Sequence, residues 1–581
     1  MKLRALAAAA VLLAAPAVPA SARKSRDLCP RVRFSGARPK PKLTEVEKRL
    51  LCGDPGSDGW KNVSLPQARG FMTAFLQARG HHFPRFETDG DTLVVDVGTA
   101  TVVRKLTGAG LAGAYDLGKR RKVVGELLTP SLLDKTKKGV EFELRGRGYA
   151  CPAVVVTADA RTGEVHVDAE PGESGIISGV APARVPKVDP EVFRRYEAYE
   201  PGVSPYDIRL LSLTGDRIKQ DQLFLSAYYD TDCSTAGAKI VQRVVEGPPF
   251  LVTVGVGADT EGLLIGKLRL QQSRLGARAS EAEADVYASR IEQSLDLSMH
   301  DYLGSGTRLF LMPDIFVRRE DEVNFDAAHG QVSLQPGWSR DGKDLRVEVR
   351  GGPAYDRFST LRGLGPSQSN WFEFVTHAQV MTHLYEYYQR DPRRGWTATL
   401  DTSHRFKGLE SDVNSQRLEA TGEALWNLGD YEPPLGVLAT RGRYGTTLVG
   451  GPRENAFTQL PPTDRFFLGG DADMRGFQRK RLPDDGAGFL TAAYEGIELR
   501  AGDVLPANIQ PFVFIDAAMA GTREFELDPD VYYSPGVGLR WASPLGSIRG
   551  SLGRGLTWVR GSPTPPQRPG WQLFLSFGKE F

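Results

Sequence analysis

The second part of the chain consists of short segments in which apolar and polar residues alternate. The series begins after Pro248-Pro249 with residues 251–256, LVTVGV, and continues through segments such as 281–286 and 417–424. A period of two places alternate side chains on opposite faces of a β-strand, so each segment predicts a strand with one apolar and one polar face. The alternation alone fits a soluble β-sandwich as well as a membrane barrel.

The length of this region and its charged faces favour the barrel. A membrane-crossing strand needs about 9 to 11 residues, or about 20 with its turn, so a barrel over residues 249–581 holds about sixteen antiparallel strands. A soluble sandwich would bury the inward charges, whereas lumen water hydrates them. The predicted strands begin near residues 250, 262, 280, 291, 306, 329, 344, 371, 395, 415, 435, 486, 509, 532, 546 and 571.

The amino terminus has the features of a secretory leader. Lys2 and Arg4 precede an alanine- and leucine-rich run and small residues up to Ala22, which predicts a signal peptide over residues 1–22. No later segment reaches the about 18 consecutive apolar residues of a membrane helix. The 73 basic and 71 acidic residues nearly balance, so the net charge does not indicate a nucleic-acid partner.

Residues 23–248 predict three small α+β modules, over 23–100, 101–173 and 174–248. Each has a short strand, two helical segments and two further strands. Such a sheet leaves edges that can add an extended segment of another chain, although a generic α+β periplasmic linker fits the same pattern. The predicted strands are 31–34, 83–88, 92–97, 101–106, 153–158, 164–169, 175–180, 223–229 and 239–246, and the predicted helices are 44–51, 65–78, 120–128, 130–137, 190–198 and 205–213.

The chain has four cysteines, which is compatible with an exported protein in an oxidising compartment. A local disulfide between Cys29 and Cys52 is the preferred pairing, because these two residues flank one predicted strand and helix. Cys151 and Cys233 lie in later modules, where they either pair or stay free, and buried reduced cysteines are the alternative.

The longest connection of the predicted barrel, between strands that end near Val449 and start near Gly486, contains the segment RFFLGGDADMRGF at 465–477. Its aromatic residues are too apolar for a loop in water, so we expect the loop to fold back into the lumen. A guanidinium carried there needs an acceptor and favours a carboxylate. The inward faces of two later strands offer Asp516 and Glu498 to Arg475, which is followed by Gly476 and Phe477. A solvated loop cation is the alternative for Arg475.

The last segment, 571–581, predicts a strand that ends at the chain terminus. Trp571, Leu573, Leu575, Phe577 and Phe581 share one face, a series that Lys579 interrupts.

These features resemble the outer-membrane protein insertase superfamily, in which polypeptide-transport-associated (POTRA) modules precede a bacterial surface antigen barrel. Within it, the translocation and assembly module branch (TamA) is most similar. The resemblance is strongest from 461 to 581, and it implies that Arg475 contacts Asp516 and Glu498. Met474 departs from the valine or isoleucine usual in the family, and Ala518 stands where the family has glycine.

The resemblance implies a function in which the barrel inserts or secretes other outer-membrane proteins by opening a seam between its first and last strands. Gly255 and Gly257 would weaken the first strand, and Gly578 the last. Phe577, Gly578 and Phe581 resemble a carboxyl-terminal sorting signal. The implied surroundings are outer-membrane lipid, unfolded outer-membrane protein substrates and a TamB-like partner anchored in the inner membrane. A two-partner secretion pore and a plain diffusion porin are the alternatives.

Other motifs indicate neither an enzyme nor a cofactor. Residues 108–113 fit G-x-G-x-x-G, but no parallel βαβ unit follows, so we reject a dinucleotide site. His81, His82, His377 and His383 lack the converging ligands of a zinc site. No serine-elbow motif is present, and we expect no catalytic residue, metal or cofactor.

Overall fold

The computed structural model describes residues 32–35, 41–53, 63–109, 123–233, 239–388, 391–408, 411, 413–451, 455–502, 504–506, 509–543, 546–559 and 570–577. The predicted signal peptide, Cys29, Gly578 and Phe581 therefore lie outside the described residues. No helix in these ranges combines the length and the apolar character needed to cross a membrane.

The amino-terminal part contains three small sheets within the described residues, in line with the three predicted α+β modules. In each sheet the last strand lies in the middle and pairs in parallel with the first strand. The second strand therefore occupies one edge and the first strand the other. The sheets comprise β1 (Val32–Phe34), β2 (Arg85–Asp89) and β3 (Thr92–Asp96); β4 (Lys105–Ala109), β5 (Ala153–Asp159) and β6 (Glu164–Glu170); β7 (Val180–Ala181), β8 (Ser226–Asp232) and β9 (Lys239–Val245).

Helices of these modules begin at side-chain caps. Thr44 and Glu47 form a capping box, and Ser64 and Asp207 each accept a hydrogen bond from the first turn of the helix that follows. The apolar faces of the helices pack on the sheets. The α-helices are Glu45–Cys52, Leu65–Gln77, Pro130–Arg145 and Ile208–Gln220, and a 3-10 helix spans Pro190–Tyr196.

Several helix and strand boundaries within the modules differ from the prediction. Residues 123–127 form turns rather than the end of a helix over 120–128, because Gly125 adopts a positive φ of 95° and Leu127 makes an isolated bridge to Val102. The next helix runs to Arg145, eight residues beyond Lys137, since Val140 and Leu144 continue its buried face. The strand predicted at 175–180 is reduced to Val180–Ala181.

One disulfide joins Cys151, before β5, to Cys233, after β8. The sequence had left this pairing open. Cys52 is also disulfide-bonded, and the predicted Cys29–Cys52 bridge involves Cys29, which the structure does not describe.

The carboxyl-terminal part is a closed barrel of sixteen antiparallel strands within the described residues, as predicted. Strands β24 and β25 both pair with β23 and are two segments of one strand interrupted at Gly555. The segments are β10 (Phe250–Asp259), β11 (Leu263–Leu275), β12 (Ser280–Ala288), β13 (Glu292–Tyr302), β14 (Leu309–Asp321), β15 (Asp326–Asp341), β16 (Leu345–Arg362), β17 (Gln368–Thr382), β18 (Gly395–Arg405), β19 (Ser415–Asn427), β20 (Gly436–Val449), β21 (Thr491–Ala501), β22 (Ile509–Gly521), β23 (Val531–Ser543), β24 (Gly546–Arg554), β25 (Leu556–Trp558) and β26 (Trp571–Phe577).

On several barrel strands the two faces differ as the alternation predicts. On β22, Val513 and Ile515 point outward and are exposed, whereas Phe512, Phe514 and Asp516 point inward and are buried. An apolar outer band with a polar interior is the arrangement of a transmembrane barrel. Some strands exceed the predicted 9 to 11 residues, up to the 18 of β16.

Short helices occur in the barrel connections. The α-helix His383–Tyr387 joins β17 to β18, and a 3-10 helix, Leu428–Asp430, follows β19. The connection between β20 and β21 holds the α-helix Ala456–Gln459 and the 3-10 helix Pro462–Asp464. Strand β21 starts at Thr491 rather than near Gly486, because Gly486 and Gly488 both have positive φ and interrupt the extended chain.

The third module is fixed to the barrel base by a buried ion pair. Arg217 donates to both carboxylate oxygens of Glu386, at 2.7 Å from Nε and 2.5 Å from Nη2. Arg346 also donates to Glu386, at 3.0 Å. Ala279, in the turn after β11, packs into the apolar core of the module.

Candidate functional site: the lumen loop and its anchors

The connection between β20 and β21 folds back into the barrel. Strand β10 starts directly after the third module and antiparallel strands alternate in direction, so this loop begins at the opposite end of the barrel. Its apolar side chains form one buried cluster with residues of the wall. The loop contributes Phe466, Leu468, Met474, Phe477, Leu482 and Phe489, and the wall contributes Ala492, Tyr494, Ala518 and Ala520.

Met474 and Ala518, the two residues that differ from the pattern of the superfamily that the sequence resembles, both belong to that cluster. Met474 is fully buried and Ala518 nearly so. Because methionine adapts to irregular gaps, its longer side chain can fill the space beside the small wall residues.

A tight turn presents the arginine. Asp473 Oδ1 accepts hydrogen bonds from the backbone N–H groups of Gly469, at 2.8 Å, and Met474, at 2.5 Å. Phe477 N–H donates to the Met474 carbonyl at 3.0 Å. Gly469 and Gly470 adopt φ values of 114° and 119°, a region that favours glycine. The turn thus fixes the backbone on both sides of Arg475.

Arg475 binds Asp516 through two parallel hydrogen bonds. Its Nε donates to Oδ2 at 2.9 Å and its Nη2 to Oδ1 at 2.7 Å. The Arg475 backbone N–H adds a third bond to Oδ2, at 3.1 Å. The exposed fractions of the two residues are 1% and 0%. Such a bidentate pair fixes orientation as well as charge.

Glu498 is shared by three arginines. Its Oε2 accepts from Arg475 Nη1 and Arg549 Nη2, each at 2.6 Å, and its Oε1 accepts from Arg500 Nε at 2.8 Å. Glu498 was predicted from the sequence, but the two additional arginines were not. Arg500 lies two residues beyond Glu498 on the same inward face, which was the available signal, whereas Arg549 comes from β24.

Aromatic residues complete the surroundings of the guanidinium. Arg475 lies over the ring of Phe514, 3.5 Å from its centroid, a favourable cation–π geometry. Tyr494 donates from its hydroxyl to Asp516 Oδ1 at 3.3 Å and accepts from Arg441 Nε at 2.7 Å. Neither Tyr494 nor Arg441 was predicted.

The loop tip lies directly on the backbone of the fifteenth strand. A Cβ at Gly476 would lie 2.3 Å from the backbone nitrogen of Gly555, and one at Gly553 would lie 2.6 Å from the carbonyl oxygen of Arg475. Ser534 Oγ also accepts from the Gly476 N–H at 3.0 Å. Glycine is therefore required on both sides of this contact, and the gap between β24 and β25 is where the loop docks.

Two further ion clusters anchor the loop on either side of the tip. Before it, Asp464 accepts from Arg405, whose Nε also donates to Glu373 at 2.7 Å. After it, Arg479 donates to Glu322 at 2.9 Å and Lys480 to Glu320 at 2.8 Å. The sequence did not predict these anchors, because neighbouring residues do not distinguish a lumen charge that contacts the loop from one that contacts water.

The first and last barrel strands, β10 and β26, meet at the predicted seam. Asp259 of β10 pairs with Ser576 of β26, and Thr260 N–H donates to the Leu575 carbonyl at 3.1 Å. The predicted Gly255 and Gly257 lie on β10, and a Cβ at Gly257 would lie 3.2 Å from the carbonyl oxygen of Phe577.

The chemistry of the loop site is that of a structural clamp. Asp516 and Glu498 both accept from Arg475, and Glu498 also accepts from Arg500 and Arg549, so these buried charged groups pair with one another. Within the ranges that the structure describes, no group of three histidine, cysteine or acidic side chains is arranged to hold a metal ion.

Comparison with known proteins gives one domain match and several structural likenesses. BamA from Haemophilus ducreyi lacking POTRA domains 1–3 is similar at 15% identity and a TM-score of 0.49, over 78% of this chain and 94% of that chain. CdiB from Escherichia coli is similar at 13% identity and a TM-score of 0.45, over 88% and 97%. CdiB from Acinetobacter baumannii gives 13% and 0.43, over 82% and 89%. Residues 386–576, which contain the lumen loop together with Glu498 and Asp516, match the Omp85 superfamily domain model.

Proposed function

We propose that this protein is an outer-membrane assembly and translocation factor that helps other outer-membrane proteins to insert or to be secreted, in the manner of TamA. The observation that best supports this proposal is a loop that folds into the barrel lumen. The loop lies in the region that matches the Omp85 superfamily domain, and buried Arg475, Asp516 and Glu498 bind it to the wall. A passive pore needs an open lumen through which solutes diffuse. A loop bound inside the lumen instead supports a barrel whose strands, not its channel, carry out the function.

The proposed working part is the seam between β10 and β26. Here the barrel closes between strands that are far apart in sequence, and Asp259 lies opposite Ser576. If the strands part, each presents unpaired backbone groups to lipid, which is costly until a substrate strand pairs with them. Hydrogen bonding to the incoming strand offsets that cost and templates its folding.

A disulfide across the seam tests the proposal. In Asp259→Cys/Ser576→Cys, oxidation joins residues that face each other in the seam. We expect the locked protein to remain folded but to lose insertion of a model autotransporter into liposomes, and reductant to restore it. Both single-cysteine variants control for loss of the native side chains.

The matched control places the same lock elsewhere in the wall. In Glu283→Cys/Ser298→Cys, the disulfide joins opposed residues of β12 and β13, and we expect insertion to continue when it is oxidised. Full activity of the locked seam would refute lateral opening.

The amino-terminal modules are proposed to lie in the periplasm and to bind extended segments. Edge strands β2, β5 and β8 leave backbone groups available for strand addition. A TamB-like protein anchored in the inner membrane is the proposed partner. Crosslinking of whole envelopes followed by purification of this chain tests it, and recovery of substrates without such a partner would reject that assignment.

Ion conductance separates the proposal from a diffusion porin. With the loop clamped in the lumen, we expect the purified barrel to show small or flickering currents in planar bilayers. A large and steady current would favour the porin instead. The three small sheets also exceed the two modules usual in a two-partner secretion pore.

A further inference from the structure

The lumen loop contacts the hairpin that contains the first barrel strand. The backbone N–H of Asp471 donates to Glu261 Oε1 at 3.2 Å, and Arg479 Nη1 lies 3.6 Å from Glu261 Oε2. Glu261 belongs to the turn between β10 and β11, and its own N–H donates to Asp259 Oδ1 at 2.9 Å. Asp259 is the residue that pairs with Ser576, so this loop contact lies two residues from the seam.

The same loop residue contacts the other side of the seam. Ser551 Oγ of β24 donates to Asp471 Oδ1 at 3.3 Å. Ser551 lies opposite Phe574 of β26, so β26 runs between β24 and β10. The Gly476 backbone, which touches Gly555, holds the loop on this side as well.

Asp471 therefore connects the turn after β10 with β24, on either side of the last strand of the barrel. We infer that Glu261, Asp471 and Ser551 form a seam clasp, which holds the first hairpin and the fifteenth strand together from inside the lumen. The inference rests on the proposed function, because it specifies what keeps the seam closed before a substrate strand enters. Opening the seam requires the clasp to break on one side, so the loop and the seam move together.

A thiol at the seam reports on the clasp. In the full-length protein, Ser576→Cys places a thiol on the inward face of β26, where the native residue is 6% exposed. Its rate of alkylation by a water-soluble maleimide measures how often the seam opens. We expect Glu261→Ala to accelerate labelling about tenfold, the effect of losing a charge-assisted hydrogen bond. Ser551→Ala, which removes a neutral donor, should accelerate it less.

The matched control removes another carboxylate from the same arginine. Glu292 Oε2 lies 3.7 Å from Arg479 Nη2, but Glu292 belongs to β13, away from the seam. We expect Glu292→Ala to label at the parent rate. Equal acceleration in Glu261→Ala and Glu292→Ala would overturn the clasp and assign the effect to Arg479, and no acceleration in either would overturn it directly.

The labelling experiment includes a replacement variant for Glu261 and defined conditions. If Glu261→Ala yields no folded barrel, Glu261→Gln, which keeps an acceptor for Asp471 but loses the charge, replaces it and should give a smaller acceleration. Labelling is measured on purified protein without substrate or partner. If the labelling test contradicts the clasp, the proposal of lateral insertion is unaffected. If the seam opens as expected but the protein inserts no substrate, the proposed function is wrong and the clasp is unaffected.

Discussion

At the scale of single residues, the main feature of the lumen site is that two buried carboxylates, Asp516 and Glu498, are contacted by three arginines. Arg475, Arg500 and Arg549 all donate to Glu498, and Arg475 also binds Asp516. Removing one member of a buried ion pair leaves the remaining charges unpaired, which costs more than the pair contributes. The arrangement therefore holds the loop against the wall through several buried ionic hydrogen bonds.

The pairing of Arg475 with Asp516 predicts a non-additive mutant cycle. We expect Arg475→Ala and Asp516→Ala each to destabilise the loop-bound barrel by about 3 to 5 kcal/mol, less where lumen water screens the remaining charge. The double variant should be little worse than either single variant, since the second change removes a group that has already lost its bidentate partner. Urea unfolding of the barrel in detergent measures the three values.

Arg481→Ala is the control for this cycle. Arg481 lies in the same loop but pairs with Asp484 at the surface, where its side chain is 44% exposed. Its removal should change stability by at most about 1 kcal/mol. Additive losses in the Arg475 and Asp516 variants would reject their pairing.

The contact at Gly476 predicts a steric effect of one methyl group. In Gly476→Ala the added Cβ would lie 2.3 Å from the Gly555 backbone nitrogen, so the loop tip must move. We expect a loss of about 1 to 3 kcal/mol and faster protease cleavage within the loop. Gly179→Ala, where a Cβ meets nothing within 4 Å, should behave as the parent, and an undisturbed Gly476→Ala loop would contradict the close contact.

At the scale of elements, the first helix of the first module depends on one carboxylate. Glu47 completes the capping box with Thr44, and Arg79 donates to it at 2.6 Å and 2.8 Å. The hydrogen bonds from Arg79 lower the pKa of Glu47 from 4.5 to about 2. A carboxylate whose pKa is lowered in the folded state adds stability at pH values above its pKa in the unfolded chain. That stability is lost as the pH falls and the carboxylate is protonated in the folded protein.

This shift predicts acid sensitivity of the helix Glu45–Cys52. Its stability should be complete above about pH 4.5 and decline as the pH falls towards about 2. Hydrogen exchange of the helix amides across that range measures the decline in the full chain. Glu47→Gln keeps a capping oxygen but does not titrate, so its helix should change less, and an equally steep decline would rule Glu47 out as the cause.

At the scale of the whole molecule, the barrel and the third module are held together by Arg217 and Glu386. Both side chains are almost fully buried, at 3% and 4% exposed. The pair joins the module helix Ile208–Gln220 to the barrel connection His383–Tyr387. The pair therefore links the module directly to the connection between β17 and β18.

Breaking this pair should loosen the module without unfolding the barrel. We expect Arg217→Ala to raise hydrogen exchange in Ile208–Gln220, since it leaves Glu386 buried with less compensation. Exposed Lys219, on the same helix, supplies the control Lys219→Ala. Unchanged exchange in Arg217→Ala would show that apolar packing alone holds the module.

Much of the architecture was predictable because it follows from local patterns. The predicted start of β26 agrees with the structure, as does that of β18, because alternation and turn residues are encoded within each strand. Strand β21 was placed five residues early, because the positive φ of Gly486 and Gly488 interrupts the extended chain, and Leu482 and Phe489 pair with Leu468 and Phe466 instead of the wall.

The sequence by itself determined the period of two, the approximate strand number and the inward position of Arg475's acceptors, because each depends on neighbouring residues. Only the tertiary structure decided that Arg500 and Arg549 share Glu498, and that Cys151 pairs with Cys233. Those contacts join segments that meet only when the barrel closes and the modules pack. Their distances depend on the register of the whole ring, which no single segment encodes.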